Sequence, residues 1–571
     1  MVILFKKFGI PAIATAVLAV IYYYLALPAF NIKSASLWGF IFFIIIAYAV
    51  LVALISGSII LSDLFKGNAH PIQKTVESFL GKEDFEDVDK KHIKFPFIKG
   101  TALRRFLLAI VVVIAVGAGA IFVSSSQFFN ADKYQKMLTV TESDFKEDIA
   151  ELPLSQIPVV DRDTAQRLGS RKIGEVVELV SQFNVSGYYT QINFQNKPTR
   201  VSPLEYADII KWFTNKDDGI PYYVKIDMAT QDTELVNLPE GMKYSPSEYF
   251  GRDLMRHVRF AYPTKMFDST SFEVDESGNP YWIISCYDYT IGFLGGYDIT
   301  GIITVNAVNG EMAYYDVGDV PQWIDCVYPA NVVLTQANYW GTYVNGYWNS
   351  IISQKNVVKT TEGYNYLAID DDIWAYTGIT SVVSDESNIG FLLVNLRTKE
   401  AKTYSINGAE EYSAMSSAEG KIQEKGYTAT FPILVNIADT PSYFVSLKDD
   451  AGLVKAYSFV SVSNYQIVGV ADTLAGAETE YRRLLAEAGK LNEGDNSADT
   501  SELQSITATV SRISSAVVGG NTSYYIMLNG SDHVFIVSVT QNDKLPFITV
   551  GDSLTINYYL TGDTVTVSTV E

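Results

Sequence analysis

Three long apolar runs stand out near the start of the chain. They cover residues 9–29, 37–61 and 106–123, and none contains a charged side chain. A bilayer core about 30 Å thick is crossed by about 20 apolar residues in a helix. Backbone groups in lipid must be satisfied within the segment, so we expect three transmembrane helices.

The first run shares some features with a signal peptide. Lys6 and Lys7 precede it, and small residues lie near Pro28. Its apolar core of about 20 residues is longer than the roughly 7–15 of a signal peptide. Because the second run follows directly, cleavage would not free the chain. We therefore interpret residues 1–62 as two retained transmembrane helices.

The distribution of Lys and Arg predicts the orientation of these helices. Residues 63–105 carry nine Lys/Arg, including Arg104 and Arg105 beside the third run, whereas residues 31–36 carry one. Basic flanks remain on the cytoplasmic side. We expect an integral plasma-membrane protein with a cytoplasmic N-terminus, a cytoplasmic loop at 63–105 and an extracytoplasmic region at 124–571.

The exported region has a mixed periodicity. Residues 124–158 are polar and predict a stalk, while residues 159–488 alternate between helical and strand patterns and predict tandem α+β modules, each a helix with an antiparallel meander. Helix candidates include residues 203–213, with Ser202 as the cap, and residues 473–488. A linker at 489–504 precedes residues 505–571, where short strands, one of them at 547–550, predict an OB-like barrel.

Two segments of this region share one pattern. In residues 301–315 and 390–404, a Gly, an apolar run, Val-Asn, a Glu and a Tyr fall at identical spacings, and a weaker third copy begins at Pro441. The pattern resembles the PepSY-type module of peptidase propeptides and membrane-anchored bacterial envelope proteins. The resemblance implies a binding or inhibitory role and carries over no catalytic residues.

Charge narrows the range of partners. The chain has a net charge of −21, and residues 106–571 contain 57 Asp/Glu against 31 Lys/Arg. Phosphate backbones would repel such a region, so we expect no nucleic-acid partner. We also expect the acidic region to stand off from anionic headgroups. The apolar runs contain no ionisable residue of the kind that transport pathways use, so they are interpreted as an anchor.

Motifs for catalysis and metal binding are few. The sequence has no P-loop, nucleophile elbow or zinc motif. Ser143 and Lys146 match a Ser-x-x-Lys pattern, but its usual companion motifs are missing. Residues 370–372 and 215–219 hold Asp and Asn that suit calcium, although turn formation explains both. We expect no catalytic residue, no metal site and no cofactor.

Four aromatic residues form the candidate binding surface: Trp340, Tyr343, Tyr347 and Trp348. They could stack against a glycan or a peptide, or, at helical spacing, belong to a core. Cys286 and Cys326 both lie in the exported region. They could form one disulfide or remain two free thiols.

Together these features predict a three-helix membrane anchor, a multi-domain α+β ectodomain and an all-β C-terminal barrel. The function we expect is a non-enzymatic binding or scaffold protein of the cell envelope, an accessory subunit of a membrane-associated complex. Its partners would be the lipid bilayer and another envelope or membrane protein, and a homo-oligomer remains open. The alternative is an envelope hydrolase or a glycan-binding protein with a site in the ectodomain.

Overall fold

The computed structural model describes residues 5–65, 101–382, 384–489, 504–518, 521–539, 542, 544–561 and 564–570. The chain divides into two compact units. The first contains Met1–Asn130, Tyr249–Phe267 and Cys286–Asp298, and the second contains Ala131–Glu248, Asp268–Ser285 and Ile299–Glu571. Most of the predicted loop at 63–105 and of the predicted linker at 489–504 lies outside the described residues.

The helices are numbered in chain order. They are α1 (Ile10–Ala26), α2 (Ala35–Phe65), α3 (Thr101–Ser125), α4 (Gln127–Gln135), α5 (Phe145–Asp148), α6 (Arg162–Gly174), α7 (Val177–Val180), α8 (Ile209–Asn215), α9 (Leu254–Ala261), α10 (Ala330–Thr342), α11 (Gly346–Ile351), α12 (Glu411–Lys421) and α13 (Leu474–Glu487).

The strands are numbered in the same way. They are β1 (Val140–Glu142), β2 (Phe183–Val185), β3 (Thr190–Phe194), β4 (Lys197–Tyr206), β5 (Ile220–Asp227), β6 (Thr233–Met242), β7 (Met266–Val274), β8 (Pro280–Ile291), β9 (Gly295–Asn306), β10 (Met312–Asp316), β11 (Val358–Thr360), β12 (Asn365–Ile369), β13 (Asp372–Ser381), β14 (Ser384–Asn395), β15 (Ala401–Tyr404), β16 (Gly408–Ala409), β17 (Thr428–Ala429), β18 (Ile433–Ile437), β19 (Thr440–Lys448), β20 (Val454–Ser461), β21 (Val468–Ala471), β22 (Gln504–Val518), β23 (Asn521–Leu528), β24 (Val534–Ser538), β25 (Ser553–Thr561) and β26 (Thr564–Val570).

One of the N-terminal helices has the properties of a membrane span. Within α2, the 21 residues Ala35–Ile55 have a mean hydropathy of 2.8, which makes this the one segment of the described chain that is long and apolar enough to cross a bilayer. Helix α1 is apolar but shorter, with 17 residues. A helix like α2 near the N-terminus is compatible with a membrane anchor or with a signal sequence.

The region after α4 is mixed α/β with several antiparallel sheets, as predicted. Module A comprises α6–α8 and β2–β6, and module B comprises α9 and β7–β10. Module C comprises α10, α11 and β11–β16, and module D comprises α12, α13 and β17–β21. Adjacent strands in each module form antiparallel ladders, with orders β2-β4-β5-β6, β10-β9-β8-β7, β15-β14-β13-β11 and β17-β19-β20-β21.

The two segments with the shared sequence pattern form hairpins of the same register. Ile302 pairs with Tyr315 in β9–β10, and Phe391 pairs with Tyr404 in β14–β15. A Cβ atom added to Gly301 would lie 2.6 Å from Tyr315 O, and one added to Gly390 would lie 2.6 Å from Tyr404 O. The repeated glycine therefore permits a close approach of two backbones.

A side-chain-capped turn closes these hairpins, and a third copy occurs in module A. The Oδ1 atoms of Asp227, Asn306 and Asn395 each accept the N–H of the residue two positions later, at 2.9, 2.9 and 2.8 Å. The copy in module A escaped the sequence pattern because Tyr222, Asp232 and Val236 stand where the other two copies have Gly, Glu and Tyr.

Two predicted segments differ from the structure. The helix predicted at 203–213 is wrong in its first half, because β4 pairs with β2 as far as Tyr206. Helix α8 begins after Asp208, whose carboxylate accepts the N–H of Ile210 at 2.8 Å, so Ser202 is not the cap. In the predicted stalk at 124–158, β1 pairs in parallel with β15, which ties this segment to the sheet of module C.

The C-terminal strands form one five-stranded sheet in the order β24-β23-β22-β25-β26. Within the described residues no ladder joins the two outer strands, so a closed barrel is not observed. The strand predicted at 547–550 is wrong: Leu545–Phe547 forms a 3-10 turn, and residues 548–550 belong to no strand. The core of this domain is apolar and includes Ile526, Phe535 and Ile556.

Candidate functional site

Modules A, C and D each contain the same tight hairpin. Its two central residues have positive φ in every case: 54° and 59° at 195–196, 49° and 69° at 370–371, and 49° and 54° at 438–439. Two-residue hairpins of this kind are type I′ turns, whose twist matches that of the flanking strands. The preceding strands are β3, β12 and β18.

These three strands border one cavity of about 270 Å³. Each forms a ladder with one neighbour only among the described residues, namely β4, β13 and β19. Strand β12 approaches both β3 and β18. The lining residues are Asp148, Ile149, Ala150, Leu152, Gln156, Asn193, Asn196, Pro198, Leu367, Ala368, Ile369, Asp370, Asp371, Leu434, Val435 and Asn436.

Two asparagines at equivalent positions line this cavity. Asn193 and Asn436 are each the next-to-last residue of their strands, β3 and β18. Both side chains are buried, and neither Oδ1 atom has a hydrogen-bond partner. The Nδ2 atom of Asn436 donates to Ile149 O at 2.8 Å, which orients its oxygen. A buried acceptor without a donor costs about 1–3 kcal/mol, so both oxygens reduce the stability of the cavity wall.

The charge of the lining is negative. Asp148, Asp370 and Asp371 are its ionisable members. Burial opposes ionisation of Asp148, but hydrogen bonds from Ser143 and Tyr404 together with Lys402, whose Nζ lies 3.3 Å away, lower the pKa of this carboxyl. Asp148 is therefore ionised at neutral pH.

Asp370 and Asp371 occupy the type I′ turn of module C, which accounts for their position without a metal. The neighbouring Asp372 is already neutralised, since Arg397 donates to both of its oxygens at 2.5 and 2.7 Å. Asp217, in the other segment considered for calcium, pairs with Lys216 at 3.2 Å. In the part of the chain that is described, no three His, Cys, Asp or Glu side chains are grouped as a metal would require.

A pair of buried acids lies behind the cavity wall. Asp325 accepts the N–H of Asn193 at 2.8 Å, and Glu273 accepts the N–H of Asp325 at 2.9 Å. Glu273 is 0% and Asp325 2% exposed. Burial raises the pKa of both carboxyls, and the nearby Glu273 raises that of Asp325 further. A substrate cannot reach this pair, so it does not act as the carboxylate pair of a hydrolase.

A buried arginine lies on the neighbouring strand. Arg200 pairs with Gln191 across the β3–β4 ladder, and its Nη2 atom donates to Gln191 Oε1 at 3.3 Å. Burial lowers the pKa of Arg200. Arg200 Nε, Gln191 Nε2 and Asp325 Oδ1 are buried without partners. The sequence analysis missed this network because its members come from separate strands. The available signals were Glu273 and Arg200, two charged residues in buried strands.

The predicted aromatic surface is split between helix α10, the turn after it and helix α11. Trp340 is half-buried and Tyr343 is buried. The rings of Tyr343 and Tyr347 stack with centroids 6.2 Å apart, and Trp348 meets Tyr347 edge-on at 6.1 Å. Trp348 is 62% exposed. Of this set, Tyr343 belongs to the core and Trp348 presents its ring to the surface.

Both cysteines are free thiols in the structure. Burial raises the pKa of Cys286 to about 12. Burial, together with Glu273 and Asp325, also raises the pKa of Cys326 well above its usual value. Neither thiol is activated as a nucleophile, which requires a lowered pKa.

Comparison with known proteins does not identify a family for this chain. No protein-family model matches it, and no curated protein matches it. Among solved structures, a levansucrase from Bacillus subtilis aligns over 75% of this chain and 95% of its own length, with 10% identity and a TM-score of 0.17. A score this low does not establish a shared fold.

Proposed function

We propose that this chain is a membrane-anchored binding protein of the cell envelope whose cavity captures an extended, basic segment of a partner protein. The observation that carries the proposal is the convergence of β3, β12 and β18 on one cavity, each with an edge that has no ladder partner among the described residues. An extended peptide can add to such edges through its main chain.

The lining determines what the peptide would carry. Asn193 and Asn436 line the cavity with polar amide side chains, and Asp370 and Asp371 favour positive charge. Ligand cavities for small molecules usually enclose about 300–1,000 Å³. With about 270 Å³, this cavity suits a Lys or Arg side chain on a strand better than a large cofactor.

We propose that α1, α2 and α3 are three membrane spans, with the N-terminus in the cytoplasm and residues 124–571 outside. The hydropathy of Ala35–Ile55 supports the anchor. The nine Lys/Arg of residues 63–105 support the orientation. If protease added to intact cells cut residues 63–105 and spared 150–571, this topology would be wrong.

The repeated turns of modules A, B and C support the proposed PepSY-like relationship, which favours binding over catalysis.

We also propose that the C-terminal domain is OB-like. Its strand order agrees, β24 approaches β26, and Asn542 Nδ2 donates to Val570 O at 2.8 Å. A backbone amide exchange map would test the barrel: slow exchange along β24 and β26 is expected, and rapid exchange of both strands would contradict it.

Site-specific photo-crosslinking tests the capture of a partner. A photoreactive amino acid would replace Ala368, which lines the cavity, in the full-length protein in its native membrane. The matched control replaces Ala313 in β10, another half-buried alanine on an outer strand. We expect an adduct from position 368 alone, with Lys or Arg in the cross-linked peptide. Equal adducts from both positions, or an acidic peptide, would contradict the proposal.

Glycan binding at Trp348 is a second candidate. Its exposed ring ends the run of stacked aromatic side chains from Tyr339 to Tyr347. Aromatic faces of this kind can stack on sugar rings. Titration with soluble peptidoglycan fragments should shift the tryptophan fluorescence, and Trp348→Ala should abolish that shift. An unchanged shift in this variant would exclude the site.

A further inference from the structure

Residues 249–267 differ in character from the rest of the chain. They carry four Lys/Arg against one Asp, in a protein of net charge −21. Tyr249 is exposed, and Phe250 and Phe260 are 65% and 49% exposed. Basic and aromatic residues around an amphipathic helix are typical of segments that lie in the membrane interface.

Contacts within the first unit place this segment at the end of an apolar helix. The ring of Phe260 lies 5.9 Å from that of Tyr23 and 6.2 Å from that of Tyr24. Arg256 Nε donates to Tyr24 O at 3.2 Å, and its guanidinium lies 4.4 Å from the Tyr24 ring. Since α1 ends at Ala26, Tyr24 is about 3 Å from the helix end. Phe260 therefore lies level with the last turn of α1.

The loop between α1 and α2 holds this arrangement. Phe30 N donates to Pro263 O at 2.7 Å. Lys33 Nζ forms an ion pair with Asp288 at 2.9 Å and donates to Tyr289 O at 2.9 Å. These contacts fix the depth of both β8 and the basic segment relative to the helix ends.

The turn between β8 and β9 is attached to α3. Ser125 Oγ accepts the N–H groups of Phe293 and Leu294, both at 3.0 Å. A Cβ atom on Gly292 would lie 2.4 Å from Ser124 O, so the turn and the helix end touch through their backbones. Leu294 is exposed beside this contact.

We propose that residues 249–267 and Leu294 form a membrane-contact surface that inserts into the headgroup region and binds anionic phospholipid. The rings of Phe250 and Phe260 would be buried in the membrane interface instead of being exposed to water. Arg252 and Lys265 are partly exposed, and Lys and Arg side chains near an anionic surface are attracted to it. The net negative charge of the chain therefore does not hold this segment away from the bilayer.

Spin labels on the full-length protein in lipid nanodiscs test the depth. Labels at Phe250→Cys and Phe260→Cys, in a Cys286→Ala/Cys326→Ala background, are compared with a label at Phe213→Cys. Phe213 is 67% exposed and lies outside the segment. We expect the labels at 250 and 260 to collide more with oxygen and less with an aqueous nickel complex than the label at 213. Accessibility equal to that at 213 would overturn the proposal.

The lipid class is tested by comparing nanodiscs of phosphatidylcholine with nanodiscs that also contain phosphatidylglycerol. We expect phosphatidylglycerol to lower nickel accessibility at position 250. Arg252→Gln/Lys265→Gln should remove this difference, whereas Lys355→Gln/Lys421→Gln, two exposed lysines elsewhere, should leave it intact. The same accessibility in both nanodiscs for the unsubstituted segment would overturn the assignment to anionic lipid.

Discussion

The membrane-contact surface and the three-strand cavity differ in both charge and shape. Residues 249–267 contain four Lys/Arg, of which Arg259 is buried, and exposed rings. The ionisable residues that line the cavity are Asp148, Asp370 and Asp371. The first surface suits an extended anionic layer, and the second suits a narrow basic segment. A net charge of −21 therefore does not determine the charge of each partner.

Filling the cavity should have the largest effect. We expect Ala368→Trp to abolish capture of a basic segment, because the indole would occupy space that the ligand needs. Ala313→Trp on β10 should leave capture unchanged. The measurement is the affinity for an acetylated (Lys-Thr)₅ peptide by calorimetry, with the thermal midpoint as a check on folding. If Ala368→Trp retained the affinity for the peptide, the peptide would not bind in this cavity.

Neutralising the turn of module C should weaken the same interaction about tenfold, as expected for about 1.4 kcal/mol of lost attraction. Asp370→Asn/Asp371→Asn is suitable because Asn tolerates positive φ. The control is Asp217→Asn/Asp218→Asn, two exposed acids on another turn. Nickel accessibility at position 250 should not change. A drop in affinity of the same size in the control pair would show that only overall charge matters.

Removing a buried charge behind the cavity should stabilise the protein. Asp325→Asn keeps an acceptor for Asn193 N and removes the ionisable carboxyl beside Glu273, so we expect a gain of about 1–3 kcal/mol at neutral pH. Because the folded-state pKa of Asp325 is raised, the wild type should lose stability as pH rises through that pKa, and the variant should lose less. Thermal unfolding at pH 5 and pH 8 measures both effects. A less stable variant at pH 8 would contradict the assignment.

Relieving a strained turn should have the smallest effect. Ala438 has φ 49°, and replacing it by Gly should stabilise the protein by about 0.5–1 kcal/mol. Asn196, at φ 59° in the equivalent turn of module A, already tolerates this conformation, so Asn196→Gly should change little. Chemical denaturation of both variants would compare them, and equal effects would mean that the Ala438 turn is not specially strained.

Local patterns predicted local structure well. Helix α13 was expected at 473–488 and forms with Thr473 as its cap. The shared pattern at 301–315 and 390–404 corresponds to two hairpins that have the same register. The helix expected at 203–213 failed because pairing with β2 holds Tyr206 in a strand, a tertiary contact that periodicity does not contain.

The candidate site could not be predicted from the sequence. Asn193 and Asn436 come from different modules and gain their significance only where β3, β12 and β18 converge. The pairing of Glu273 with Asp325 likewise depends on a backbone contact between distant segments. The Asp370–Asp371 turn was noticed in the sequence, but its negative charge acquired a role only beside the cavity.

Amide hydrogen exchange on the full-length protein in nanodiscs tests the central claim most directly. The probes are acetylated, amidated (Lys-Thr)₅ and (Glu-Thr)₅ peptides. We expect the basic peptide to slow exchange in β12 and β18, and to do so much less in Ala368→Trp, while the acidic peptide has no effect. Unchanged exchange with the basic peptide, or equal protection by both peptides, would contradict capture of a basic strand at this cavity.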